Sequence, residues 1–183
     1  MHQFRILCLS GSLRRSSYNT ALIQALPFLA PDEFDMIVDT SLGTLPLFNP
    51  DHEEDDIASV RELKNLVRIS DGLIIASPEY AHGISGVLKN ALDWLVSTVD
   101  FPGMPVALLN ASPRATHAQA ALREVINTMS GDIVEDASIS IPLLGSNLDS
   151  TGITNSGEIS NKIRESLYVF LNHLAQRRDV FDV

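Results

Sequence analysis

The chain has 183 residues, enough for one domain with a substantial core, and its 45% hydrophobic content excludes a disordered protein. A formal net charge of -10 repels nucleic acid, and no apolar stretch approaches the ~20 residues that span a bilayer. The single cysteine, Cys8, leaves no internal disulfide and no cysteine-cluster metal site.

The N-terminus runs straight into an apolar segment without a secretory pattern, so the expected location is the cytoplasm. Phe4 to Leu9 reads as a strand buried on both faces of a parallel sheet, which makes Cys8 a small buried hydrophobe. Ala21, Leu22, Ala25, Leu26 and Leu29 recur at helical spacing and predict a helix that stops before Pro31. Met36 to Val38 is a short second strand. A long connection follows through Leu47-Phe48-Asn49-Pro50 and ends in the acidic run Asp51 to Asp56, read as a solvated turn. Val60, Leu63, Leu66 and Val67 mark a helix before the strand Leu73 to Ala76. Val87 to Val96 is helical and Pro105 to Leu109 is a strand. Ala118 to Met129 carries another amphipathic helix, Ile133 to Ile141 reads as a last, edge strand, and Ile159 to Leu174 is the closing helix.

Five strand-helix units without an internal repeat or linker predict one domain, 1–183, an α/β doubly wound parallel sheet with helices on both faces. Ligands of such sheets bind beyond the carboxyl ends of the strands. Two segments at such ends carry the chemistry.

The first is Ser10-Gly11-Ser12-Leu13-Arg14-Arg15-Ser16-Ser17-Tyr18-Asn19. A phosphate needs converging N–H and O–H donors at a helix N-terminus. Here Gly11 permits an unusual backbone or a close approach, the serines supply hydroxyls, Arg14 supplies a charged fork, and Asn19 lies where the helix begins. No Gly-Lys-Ser/Thr follows, and Gly11 stands alone, so neither a triphosphate loop nor a dinucleotide fingerprint is present.

The second is Ser77-Pro78-Glu79-Tyr80-Ala81-His82-Gly83. Pro78 stiffens it, Gly83 and Gly86 let backbone amides approach a ligand, and Tyr80 offers a flat apolar face. Such a loop suits a flat ring with polar edges, which together with a phosphate cradle points to flavin mononucleotide.

The run from Ser77 through Asn90-Ala91-Leu92-Asp93-Trp94-Leu95 closely resembles the signature segment of the NADPH-dependent FMN reductase family. Gly11-Ser12-Leu13-Arg14 with Ser17 and Asn19, and Leu45-Pro46-Leu47-Phe48-Asn49-Pro50-Asp51, resemble it too. The resemblance implies a flavodoxin-like fold with strand order 2-1-3-4-5, non-covalent FMN, and NADPH or NADH as donor to a small acceptor (free flavin, quinone, azo compound or chromate). Carried onto this sequence, it implies that Ser12, Arg14, Ser17 and Asn19 hold the phosphate, with Ser10 also counted among the cofactor-binding residues. Pro78, Glu79, Tyr80, Ala81, His82 and Gly83 would bind the ring, closed on its other side by the loop starting at Ser112. The flavin itself would carry the redox chemistry, so no side chain is assigned catalysis and no metal is expected. Ala81 and Ser85 replace the Asn and Pro common in the family, removing a side-chain contact and loosening the helix entry. Arg114 and His117 border the expected pocket, where the cofactor's phosphates or an anionic substrate are their candidate contacts.

The helix Val87 to Val96 has two apolar stripes, Leu88-Ala91-Leu92-Leu95 and Val87-Ala91-Trp94. One packs on the sheet and the other needs a cover, which gives the expectation of a homodimer or homotetramer. The alternative to a reductase is a flavodoxin-like one-electron carrier, or a flavin-binding redox sensor with little NAD(P)H turnover.

Overall fold

The structure, a computed structural model, describes residues 3–181. It runs through β1 (Phe4–Ser10), α1 (Tyr18–Ala25), β2 (Phe34–Asp39), α2 (Ala58–Arg68) and β3 (Gly72–Ala76). Next come β4 (Glu79–Tyr80), β5 (Gly83–Ile84), α3 (Gly86–Leu95), β6 (Pro105–Asn110) and α4 (Thr116–Thr128). The last are β7 (Asp132–Ile133), β8 (Ile139–Ser140), α5 (Ser150–Asn155) and α6 (Gly157–Phe181).

The main sheet is parallel with order β2-β1-β3-β6-β7, and β8 also pairs with β6. This is the flavodoxin-like order expected from the sequence. Successive side chains of β1 point to opposite faces: Ile6 and Cys8 join a core with α1 and α6, while Leu7 and Leu9 join one with α2, α3 and α4. Burial pushes the Cys8 thiol up from 9.0 to about 12. No helix among the described residues is long and apolar enough to cross a membrane.

Four sequence expectations need correction. The first helix ends at Ala25 and tightens into a 3-10 turn, Leu26–Phe28, because Pro27 has no N–H to continue the ladder. The last strand, read as Ile133 to Ile141, is broken into β7 and β8 by a 3-10 turn at Glu135–Ala137. There the Leu108 amide donates to Ser138 Oγ at 3.0 Å, a side chain standing in for the missing strand partner. Ser85 does not loosen the entry to α3: it is the N-cap, and its Oγ accepts from the Leu88 amide at 3.4 Å.

The fourth concerns the second stripe of α3, which is covered from within the chain. Trp94 is 1% exposed beneath Phe48, ring centroids 5.0 Å apart and edge-to-face. Asn90 clamps this strap by donating to the Pro46 carbonyl at 2.9 Å and accepting from the Phe48 amide at 2.8 Å. Trp94 Nε1 donates to the same Pro46 carbonyl at 2.9 Å. The apolar segment Leu45–Phe48 therefore supplies the cover that a second subunit was expected to give.

Candidate active site

The carboxyl ends of β1, β3 and β6 open into one cavity of about 710 Å³, within the range of small-molecule sites. Three loops build it, one from each strand, and a fourth wall comes from the segment after β8.

The loop after β1 is shaped by its own hydroxyls. Ser10 Oγ accepts from the Ser12 amide at 3.3 Å and lies 2.8 Å from Thr20 Oγ1. Ser12 Oγ accepts from the Arg14 amide, and Ser17 Oγ, the N-cap of α1, accepts from the Thr20 amide, both at 3.3 Å. A hydroxyl that accepts from an amide keeps its own proton to donate, so Ser12 and Ser17 are held in place with a free donor each. Arg14 folds back to donate to Ser16 Oγ at 3.3 Å. Asn19 is 8% exposed and lines the cavity, and its Oδ1 is enclosed with no partner among the described residues. A buried orphan of this kind costs about 1–3 kcal/mol unless a ligand or water meets it.

The loop after β3 is a two-residue hairpin: Glu79 pairs with Ile84 and Tyr80 with Gly83. Its turn residues Ala81 and His82 both have positive φ, 49° and 59°. That is the left-handed geometry favoured in tight hairpins, imposed here on two residues with side chains. The Glu79 carboxylate turns to the N-terminus of α4, where Oε2 accepts from the Ala118 amide at 2.9 Å. His82 Nδ1 lies 3.6 Å from Glu79 Oε1, and its ring meets His117 edge-to-face at 4.4 Å. Gly11 explains how the two loops fit together: a Cβ on it would come 2.6 Å from Ser77 Oγ and 2.9 Å from Ser85 Oγ. The close approach foreseen at this glycine is thus to the chain itself.

The third loop is braced by Asn110, buried, whose Oδ1 accepts from the Ser112 amide at 2.9 Å. Of the residues expected from sequence, Ser12, Arg14, Ser17, Asn19, Pro78, Glu79, Tyr80 and Ser112 line the cavity. Ser10 supports the loop from below, Ala81 and His82 form the hairpin turn and Gly83 opens β5, all outside the lining. Sequence reasoning missed the wall formed by Leu144 and Asn147 to Ser150. It is tied in by the Asn147 amide, which donates to Tyr18 Oη at 3.2 Å, and by Asp149, the N-cap of α5. Its one sequence signal was position, since it follows the carboxyl end of the last strand. Among the described residues no group of His, Cys, Asp and Glu converges as metal ligands; His52 of the acidic run pairs with Asp55 at 2.8 Å.

By architecture this is a flavodoxin-like α/β protein with a large cleft where that class places its ligands. The chain belongs to the NADPH-dependent FMN reductase family, whose model matches residues 4–142, and it is an oxidoreductase. It is 34% identical over 178 residues to a 2-hydroxy-1,4-benzoquinone reductase of a Burkholderia species, covering 93% of this chain and 94% of that one. It is 36% identical over 114 residues to a quinone reductase of Escherichia coli strain K12; that match spans 60% of this chain and 61% of the relative. The fold is also that of a flavoenzyme NAD(P)H:(acceptor) oxidoreductase, FerB, from Paracoccus denitrificans. The two share a TM-score of 0.76 and 23% identity, with 94% of this chain and 98% of that one covered.

Proposed function

We propose that the cavity holds FMN non-covalently and that the chain is an NADPH- or NADH-dependent reductase of small acceptors such as quinones. The observation that carries this reading is the preset donor set at the start of α1, two hydroxyls fixed as donors, a helix N-terminus and Arg14, with the enclosed Asn19 amide oxygen beside it as an acceptor that has no partner among the described residues. Such a set fits a phosphate ester and its hydroxylated chain. Ser12, Arg14, Ser17 and Asn19 hold the phosphate end, with Ser10 supporting them. Pro78, Glu79 and Tyr80 face the ring, backed by the turn Ala81 to Gly83, and Ser112 closes the opposite side. Bound there, FMN supplies two-electron chemistry between a reduced nicotinamide and an acceptor. The chain's own work is to orient the ring, shield it from water on its buried side, and fix the charge near its polar edge.

Assembly into a homodimer or homotetramer now rests on other ground than α3. Leu47, Val96 and Val99, beside the Phe48–Trp94 contact in sequence, are 85%, 62% and 89% exposed. Sedimentation at micromolar protein tests it.

The functional test is an absorbance spectrum of the purified protein, then anaerobic addition of NADPH. Flavin bands that bleach within seconds are expected. Bound flavin that neither NADPH nor NADH bleaches overturns the reductase reading. A colourless protein that takes up no added FMN overturns the cofactor reading.

A further inference from the structure

Thirteen Lys and Arg face 23 Asp and Glu in this chain, so a cation without an acidic neighbour is conspicuous on it. Three arginines line the cavity: Arg14, Arg15 and Arg114. Arg14 reaches only Ser16 Oγ, and Arg15 and Arg114 have no hydrogen-bond or ion-pair partner among the described residues. The acidic residues of the described lining, Glu79 and Asp149, are both committed to helix N-terminal amides, those of Ala118 and Gly152. The wall therefore carries three guanidinium groups against two carboxylates, both of them held at helix N-termini, and this excess of positive charge inside an acidic molecule draws anions.

The three are not in one place. Arg14 and Arg15 lie on the loop after β1, whereas Arg114 lies on the loop after β6. Strand β3 separates β1 from β6, so the two loops leave the sheet roughly 10 Å apart. On the FMN reading above, on which this inference rests, the phosphate at the β1 end draws on Arg14 and Arg15. Arg114 is left at the ring end, with its planar fork unspent.

We propose that Arg114 is a specificity-determining residue that selects a reaction partner carrying anionic oxygen at the ring end of the cavity. Two sources share that chemistry. One is an acceptor such as a hydroxyquinone, whose hydroxyl is a vinylogous acid ionised at neutral pH. The other is the 2′-phosphate that distinguishes NADPH from NADH. A guanidinium engages either through paired, charge-assisted hydrogen bonds.

The test begins with FMN titrated into the apoprotein of wild type and R114Q. Failure of wild type to bind FMN overturns the cofactor reading and this inference with it. With FMN bound, 4-hydroxybenzoate, which cannot be reduced, is titrated while the flavin absorbance is followed. Arg114→Gln is expected to raise its Kd about 10- to 100-fold, the loss of a charge-assisted pair, and Arg114→Lys to recover part of it. Kinetics then separate the sources. A fall in the kcat/KM ratio of 2-hydroxy-1,4-naphthoquinone to 1,4-naphthoquinone assigns Arg114 to the acceptor. A fall in the ratio of NADPH to NADH assigns it to the donor's phosphate. FMN binding with an unchanged benzoate Kd and unchanged ratios in both variants overturns the proposal. Arg114 is exposed and unpaired, so these substitutions leave the fold intact.

Discussion

Glu79 and Ala118 join the hairpin after β3 to the helix after β6: the Glu79 carboxylate accepts a hydrogen bond from the Ala118 amide in the first turn of α4, at 2.9 Å. Helix α4 has no side-chain cap of its own, because Ala115 stands at its N-cap. Glu79 supplies that cap from another element, and its negative charge suits the helix N-terminus. Its side chain is 18% exposed, so solvent screens the contact little.

Replacing Glu79 with Ala is expected to cost about 1–2 kcal/mol and lower Tm by roughly 2–8 °C. Glu79→Gln keeps an acceptor oxygen and is expected to lose less. Scanning calorimetry measures both. A Tm equal to wild type in E79A means the helix finds another cap.

Arg14 and the hydroxyls beside it predict a preference for phosphorylated flavin. Arg14→Ala should weaken FMN binding about 10- to 100-fold while leaving riboflavin binding as it is. Quenching of flavin fluorescence on titration reads both constants. Equal loss for the two flavins would remove Arg14 from the phosphate end.

The hairpin turn stores strain that a substitution can release. Ala81 at φ 49° occupies a conformation that Asn adopts more readily, at a difference of about 0.5–1 kcal/mol. Ala81→Asn is expected to raise Tm by about 1–4 °C, measured without added FMN so that ligand affinity does not contribute.

Cys8 sets an alkaline limit. Its folded thiol binds the proton more tightly than the unfolded one, from 9.0 up to about 12. Its contribution to stability is therefore complete below about pH 9 and is lost as pH rises toward about 12. Between about pH 8 and about pH 10 the loss from this one group is on the order of 1 kcal/mol. Urea midpoints of wild type and C8A at those two values check it: C8A starts lower, having lost a buried side chain, but falls less. Parallel falls would mean another group sets the limit.

The strands Phe4–Ser10, Gly72–Ala76 and Pro105–Asn110 were legible because all are buried on both faces and punctuated by polar loops. The break in the last strand was not, since a serine hydroxyl replacing a backbone acceptor leaves no mark on hydrophobic periodicity. The clamp by Asn90 escaped for a similar reason: its partners are 44 and 42 residues away. The loops after β1 and β3 were legible as chemistry, because Ser, Arg, Pro and Tyr announce what they can bind. The wall from Leu144 to Ser150 has mixed composition and no period, and only its place after the sheet's last strand connects it to the cavity.

Gly11 gives the molecule a mechanical property. With no room for even one carbon between it and the hydroxyls of Ser77 and Ser85, the backbone of one loop is the floor against which the other rests. A shift at the β1 loop is passed on to the turn after β3 and to the cap of α3 at once, since close-packed atoms transmit displacement instead of absorbing it. On the proposed reading, in which one loop holds the phosphate and the other the ring, the two grips are coupled, and a side chain at position 11 would disturb both.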